Sequence, residues 1–187
     1  MSAKAYIFYS LLVCTVFAQV ACENDLKDVE EISSKKNPIP VDKSSGVEII
    51  YSDSAIVKAK LIAPELLHFK TKNPYYEMNK GVTIIFYNEV MQESNRVTAD
   101  QAIRRENERR VELRQNVVAT NKKGETFKSD ELIWNENTKR FTSSKVVSVS
   151  FSGNTFYGTS FWANEDFSYY EMDQATGNFN LTENQGF

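Results

Sequence analysis

Hydrophobic and small residues recur along this chain in one short pattern that appears four times. Each copy has an apolar residue, a small residue two positions later, and an apolar pair three and four positions after that. The four copies begin at Leu61, Val97, Phe127 and Phe156. Their small residues are spaced by 36, 30 and 29 positions. A near-constant period of this size is typical of stacked supersecondary units.

The alternation inside each copy predicts a bent strand. The first apolar residue and the small residue are two positions apart, so they share one face of a strand. The next apolar residue comes at an odd offset, which requires a bulge or sharp bend between the two halves. Repeated bends would fold the sheet along a line, the crease, lined by Ala63, Ala99, Ser129 and Gly158. The alternative, that these positions simply fill the core of a β-sandwich, stays open.

Strand-like segments separated by Asn, Asp and Gly clusters fill the chain from Val47 onward, which predicts an all-β class. The segment 99–114 has helix-favouring residues, but its apolar positions form no helical stripe, so strand–turn–strand is preferred. The expected strands are 47–51, 55–63, 65–70, 82–87, 96–104, 110–119, 126–134, 139–151, 155–163, 167–172 and 178–181.

The amino-terminal part predicts export from the cytoplasm. Residues 1–21 form a basic and then apolar leader, and Cys22 after Val-Ala is similar to a bacterial lipobox, whose cysteine becomes lipidated. An uncleaved membrane span and an ordinary secretory signal are the alternatives. Residues 22–46 are charged and rich in serine and proline, which favours a flexible tether, and residues 47–187 form the folded domain.

Composition argues against catalysis. The net charge of −3 gives no general attraction for nucleic acid. Both cysteines lie at or before position 22, and His68 is the single histidine, so no cysteine or histidine metal cluster is expected. No phosphate loop or metal-ligand spacing occurs. Four carboxylates beside the repeats suit turns or surface: Asp100, Asp130, Glu131 and Glu165. We therefore expect no enzyme activity, cofactor or metal.

The segment from Gly46 to Asn180 resembles the LptC family of lipopolysaccharide export components. The segments that carry the resemblance are 61–63, 97–102, 113–117, 126–132 and 141–147, followed by Gly158 and Phe161. The resemblance implies an elongated OstA-like β-jellyroll, shared with LptA, that holds acyl chains between its walls. It also implies a periplasmic protein anchored to the inner membrane, which receives lipopolysaccharide from an LptBFG-like ABC transporter and passes it to an LptA-like carrier.

Within this framework twelve residues are candidates for contact with lipid: Leu61, Ala63, Ile84, Phe86, Val97, Ala99, Val111, Leu113, Phe127, Phe141, Phe156 and Phe161. Two strand edges are candidates for contact with partner proteins, through Val47, Ile49 and Tyr51 at one end and Phe167, Tyr169 and Phe179 at the other. Two rival functions remain: a carrier of another lipid on the same fold, and a structural or surface lipoprotein with a dry sandwich core.

Overall fold

The computed structural model describes residues 40–178, which form fourteen β-strands and contain no helix. No membrane-spanning helix is therefore found among these residues. The strands are β1 (Val41–Asp53), β2 (Ile56–Phe69), β3 (Tyr75–Met78), β4 (Val82–Tyr87), β5 (Glu93–Ala99), β6 (Gln101–Arg105), β7 (Arg110–Asn121), β8 (Thr126–Asn135), β9 (Arg140–Ser143), β10 (Val147–Phe151), β11 (Asn154–Gly158), β12 (Ser160–Asn164), β13 (Tyr170–Asp173) and β14 (Thr176–Asn178).

All fourteen strands belong to one antiparallel sheet, which is folded into two walls. Four long strands, β1, β2, β7 and β8, contribute to both walls. The carboxy-terminal half of β7 pairs with β5 and its amino-terminal half pairs with β6. Likewise β8 pairs with β10 through its first residues and with β9 through its last. Wall 1 also holds β4, β5, β10, β11 and β14, while wall 2 also holds β3, β6, β9, β12 and β13.

The line between the walls is the crease expected from the repeats. A single residue, Asp100, separates β5 from β6, and Thr159 separates β11 from β12. In the uninterrupted strand β7, Gln115 and Asn116 take φ values of 62° and 49°, and the register with β8 shifts there. Between β3 and β4, Gly81 has φ 92°. At Gly81, Gln115 and Asn116 the left-handed backbone interrupts the ladder in the way a bulge does, and the chain turns there from one wall into the other.

Small residues and valines alternate in one row beside the crease. Register pairs join Val47 to Ala63, Val82 to Ala99, and Val117 to Ser129. Val147 then lies between Ser129 and Gly158. Ile62 pairs with Thr83, so the next residues along, Ala63 and Val82, are neighbours. Thr98 pairs with Val118, so Ala99 and Val117 are neighbours in the same way, and the row is continuous. The small residue of every repeat therefore lies beside valines from the neighbouring strands.

The predicted all-β class and folded jellyroll are confirmed, with differences at individual strands. The first strand begins at Val41, six residues before the expected start at Val47. Segments 55–63 and 65–70 form one strand, β2, because the chain bends at the crease without leaving the sheet. The four-residue strand β3 was not expected. Segment 99–114 does form strand–turn–strand, through β6 and β7.

Candidate functional site

The space between the walls is the candidate site, and it is lined by apolar side chains along its whole length. Eleven of the twelve residues predicted to contact lipid are buried here, each at most 6% exposed. The exception is Phe156 in β11, which is partly exposed and stacks on Phe151 with ring centroids 5.4 Å apart. The sequence pattern therefore identified the inward face of the sheet.

The four predicted crease residues lie together at the closed side of this space. Ala63, Ala99, Ser129 and Gly158 are all buried, and they share the row described above. An ideal Cβ placed on Gly158 would lie 2.7 Å from Cβ of Met172 in β13. Small side chains at the crease are thus what lets the two walls approach each other.

Polar side chains complete the hydrogen bonding along the crease. The Ser129 hydroxyl donates to the carbonyl of Val146 at 3.0 Å and lies 3.4 Å from the Ser143 hydroxyl. The exposed Asp100 accepts a 2.6 Å hydrogen bond from Nδ2 of Asn116. These groups satisfy the backbone and side chains where the ladder is interrupted. Asp100 therefore serves the bend, as the expectation of turns or surface implied.

Aromatic rings from the two walls meet across the interior. Phe86 of wall 1 packs edge-on against Trp134 and Phe141 of wall 2, with centroids 5.0 and 5.7 Å apart. Further along, Phe127 of wall 1 meets Tyr170 of wall 2 at 5.0 Å. The walls are therefore closed on each other, and the interior is filled by the protein's own side chains.

The turn 164–169, which begins at the last residue of β12 and ends just before β13, closes the side opposite the crease. Phe167 is fully buried and packs against Phe127 and Phe141, at centroid distances of 4.9 and 4.7 Å. The side chain of Phe167 therefore lies in the core, whereas the sequence pattern assigned this residue to a partner edge. The Asn-Glu-Asp sequence before it marks a surface turn, but the aromatic ring that follows points into the core. Sequence alone carried no signal of this inward orientation.

Glu165 in the same turn sits at the interior boundary. Burial raises the pKa of this carboxyl, and the 3.1 Å hydrogen bond donated by Nε1 of Trp134 offsets part of the rise. Nδ2 of Asn95, which is buried in β5, donates to the Glu165 carbonyl oxygen at 2.8 Å. Glu165 thus bridges the two walls, a role that its expected place on the surface did not suggest.

A polar cluster lies inside the second wall near β1. Arg104 makes two hydrogen bonds to the buried Glu136, at 2.8 and 3.2 Å, and its guanidinium lies 5.4 Å from the ring centroid of Tyr51. Burial raises the pKa of Tyr51 to about 12.

Nε2 of His68 lies 3.2 Å from Oε1 of Glu106. Within residues 40–178 no group of three or more potential metal-ligating side chains is found.

Within residues 40–178, the sheet ends on both sides in strand edges that pair with no further described strand. Among the described strands β1 pairs only with β2, while β13 pairs only with β12 and β14 only with β11. Val47, Ile49 and Tyr51 lie on β1 with their side chains packed against the core. Tyr169 is exposed just before β13. Phe179 and Cys22 lie outside the described residues, as do the leader and most of the predicted tether.

Comparison with known proteins gives one family. The model of the LptC family, described as lipopolysaccharide-assembly, LptC-related, matches residues 11–172 of the 187. The match includes all of β1 to β12. No curated protein matches the chain. Members of this family are components of lipopolysaccharide transport in the cell envelope, and the family is not a known enzyme family. Because the match covers most of the chain, the protein belongs to the LptC-related family of lipopolysaccharide-assembly proteins.

Proposed function

We propose that this protein is a non-enzymatic carrier that holds the acyl chains of lipopolysaccharide between its two walls. The observation that supports this most is the apolar interior, which continues from unit to unit along the crease, from Leu61 to Phe161. An acyl chain placed there would gain about 0.8 kcal/mol for each CH₂ removed from water. Burial would therefore keep the acyl chains out of water during transfer, and no bond would have to be made or broken in this domain.

The lipid would occupy a space that the protein's own side chains fill in the empty state. Rings such as Phe86, Phe127 and Phe141 would separate as the walls part, and the acyl chains would replace the contacts that the rings lose. The crease would stay closed, because its hydrogen bonds and small residues tie the walls together there. Lipid would then enter on the side opposite the crease, with its sugars left in water.

The open strand edges would connect the carrier to its neighbours. We assign β1 to an LptBFG-like ABC transporter and the β13–β14 end to an LptA-like periplasmic carrier. An edge strand offers unpaired N–H and C=O groups that a strand of another jellyroll can extend. Ile50 supports the first assignment, since it is a large apolar residue on β1 that is 60% exposed. Sheets continued in this way would join the interiors end to end.

Anchoring at the inner membrane would follow from a lipidated Cys22, with the domain in the periplasm. A single acyl chain binds a bilayer only weakly, whereas two or more chains hold a protein stably. The residues between Cys22 and Val41 would then span the distance from the membrane surface, at most about 3.3–3.6 Å per residue. Mass spectrometry of the purified amino-terminal peptide would test this, and an unmodified Cys22 would exclude the lipid anchor.

Site-specific photocrosslinking tests the carrier function. A photoreactive phenylalanine analogue at Phe127 or Phe141 should form adducts with lipopolysaccharide when the transporter hydrolyses ATP. Lys128 and Thr142 are matched controls, since each is the next residue along the same strand and faces solvent. Adducts at the inner pair but not the outer pair support the proposal. If none of the inner positions gives adducts in a folded protein with an active transporter, the dry structural sandwich is favoured instead.

The same reagent tests the two edges. The analogue at Ile50 should crosslink to the transporter, and the analogue at Tyr169, which is 54% exposed, should crosslink to the next carrier. If Ile50 crosslinks to the next carrier and Tyr169 to the transporter, the direction of transfer assigned here is reversed. Crosslinks to neither partner would contradict the docking assignment while leaving lipid binding intact.

A further inference from the structure

The turn 164–169, here called the plug turn, places a large aromatic ring where an acyl chain would lie. Phe167 is fully buried and contacts Phe127, Phe141 and Phe161, all of which belong to the candidate lipid interior. Its backbone has φ 53°, a left-handed conformation that is unfavourable for a bulky residue. In this structure the surrounding contacts hold the ring inside despite that backbone strain.

Besides the register pairing of Asn164 with Arg140 of β9, three polar bonds attach the plug turn to the walls within residues 40–178. Asn95 donates to the Glu165 carbonyl at 2.8 Å, and Asn121 donates to the Phe167 carbonyl at 3.0 Å. Asn95 and Asn121 pair with each other in register, so both donors come from one place on wall 1. The third bond is donated by Trp134 of wall 2 to the Glu165 carboxylate at 3.1 Å. Water can replace these partners if the turn moves outward.

The plug turn is also held together internally. The N–H of Phe167 donates to the carbonyl of Asn164, and the N–H of Asn164 donates to the carbonyl of Tyr169, both at 3.1 Å. Nδ2 of Asn164 donates to the Ser168 hydroxyl at 2.9 Å. These bonds lie within the turn and need not break when it moves. Residues 165–169 can therefore swing as one unit about Asn164, the last residue of β12, and about the start of β13.

Two clefts flank the plug turn on the side opposite the crease. One, of about 300 Å³, lies between Tyr51, Trp134 and Glu165. The other, of about 340 Å³, lies between Phe86, Asn95 and Glu165. Both lead from solvent to the point where the turn joins the two walls. Outward movement of the turn would merge them into one opening above the aromatic interior.

We infer that the plug turn swings outward when lipid enters. The volume that Phe167 fills in the empty protein then becomes the site of a lipid acyl chain. This inference rests on the proposed carrier function. In the empty protein Phe167 keeps the interior dry, and in the loaded protein the acyl chain takes over its contacts with Phe127 and Phe141. Entry of lipid is therefore coupled to loss of the Asn95 and Asn121 bonds.

A reversible tether tests the inference. In the full-length chain with Cys14→Ser and Cys22→Ser, Asn95→Cys on wall 1 and Glu165→Cys on the plug turn place two thiols in the lining of the second cleft. A short bis-methanethiosulfonate joins them through disulfides, and dithiothreitol releases them. The matched control pair, Lys128→Cys with Ser148→Cys, joins neighbouring strands of wall 1 and leaves the plug turn free. The probe is purified lipopolysaccharide with a fluorophore on its sugars.

The tether should lower binding of the probe by about tenfold or more, because it removes the open population, and reduction should restore it. The control tether should leave binding unchanged. Equal binding before and after reduction of the Asn95–Glu165 tether would overturn the plug while leaving the carrier function standing. Failure of the reduced protein and of the wild type to bind would overturn both.

A second measurement follows the ring itself. With 4-fluorophenylalanine at position 167, the ¹⁹F resonance should shift from a buried to a solvent-exposed environment as lipopolysaccharide is added. The tethered protein should show no such shift. The ¹⁹F resonance could instead keep its buried chemical shift in the untethered protein while the inner positions crosslink to lipid. That result would show that the acyl chain enters without displacing Phe167, and it would overturn the inference.

Discussion

Replacement of Gly158 by alanine probes how closely the walls approach at the crease. The new methyl group would lie 2.7 Å from Cβ of Met172 and 3.2 Å from the carbonyl oxygen of Asp173. Neither neighbour is free to move. Met172 is held by its register pairing with Phe161, and the Asp173 carbonyl accepts a 3.1 Å hydrogen bond from Thr159 N–H. Relief of the clash must therefore separate β11 from β13.

The magnitude follows from the cost of overpacking, since Gly158 has no left-handed backbone to add strain. Insertion of one methyl group into a closely packed position costs about 1–3 kcal/mol. Urea unfolding monitored by the fluorescence of Trp134 and Trp162 measures this loss. The midpoint should fall while the slope stays constant, because the surface exposed on unfolding is unchanged. In a domain of this size each kcal/mol corresponds to about 2–4 °C in Tm.

Gly124→Ala is the matched control. Gly124 lies in the turn after β7 with φ 79°, and its added Cβ would meet no atom within 4 Å. Gly124→Ala should lower the free energy of unfolding by about 1–2 kcal/mol through backbone strain alone. Each glycine variant is then combined with Met172→Gly, which separates the steric clash from the backbone strain. Loss of the Met172 Cβ should recover stability in the Gly158→Ala variant and not in the Gly124→Ala variant. A Gly158→Ala variant as stable as wild type would refute the close approach of the walls.

Three further predictions concern burial and charge. Phe141→Ala should lower the free energy of unfolding by about 3–5 kcal/mol through the cavity it leaves, whereas the exposed Tyr157→Ala should change it little in the same urea titration. Burial raises the pKa of Glu165, so stability should fall as pH rises from the ordinary glutamate pKa through the raised one, and Glu165→Gln should remove that slope in thermal unfolding across pH. Burial also acts to raise the pKa of Glu112, but hydrogen bonds from Arg105 and Arg110 outweigh it and lower the pKa. Its stabilisation is therefore present above the ordinary glutamate pKa and lost as pH falls through the lowered one, and Glu112→Gln should abolish that acid-side loss; unchanged pH profiles would contradict either assignment.

The repeat predicted the crease and the inward face because both depend on local spacing. Period-two alternation assigns a residue to one face wherever its strand lies in the sheet, so Leu61 and Phe127 could be placed without knowledge of pairing. The odd offset after Ser129 required a bend for the same reason. Sequence also identified the strand–turn–strand between β6 and β7, since the absence of an apolar stripe excludes an amphipathic helix.

The parts that failed depend on contacts between distant residues. β3 is only four residues long and exists because β2 and β6 pair with it on either side. After Val41 the next four residues of β1 are polar and exposed, so they gave no apolar signal, yet they pair with β2. Phe167 follows a turn signal, and only its contacts with Phe127 and Phe141 show that it is core.

The alternating row of valines and small residues makes the thickness of the molecule independent of its length. Each repeat adds one small residue at the crease, with valine neighbours and inward apolar side chains, and it contacts mainly the repeats on either side. Stability should then grow by a nearly constant increment for each repeat, as in a one-dimensional array. The fraction of surface buried per repeat would also stay constant, unlike that of a globular core, which rises with size. A chain of this design could gain or lose a repeat, such as the one beginning at Phe127, and alter its capacity without redesign of the rest.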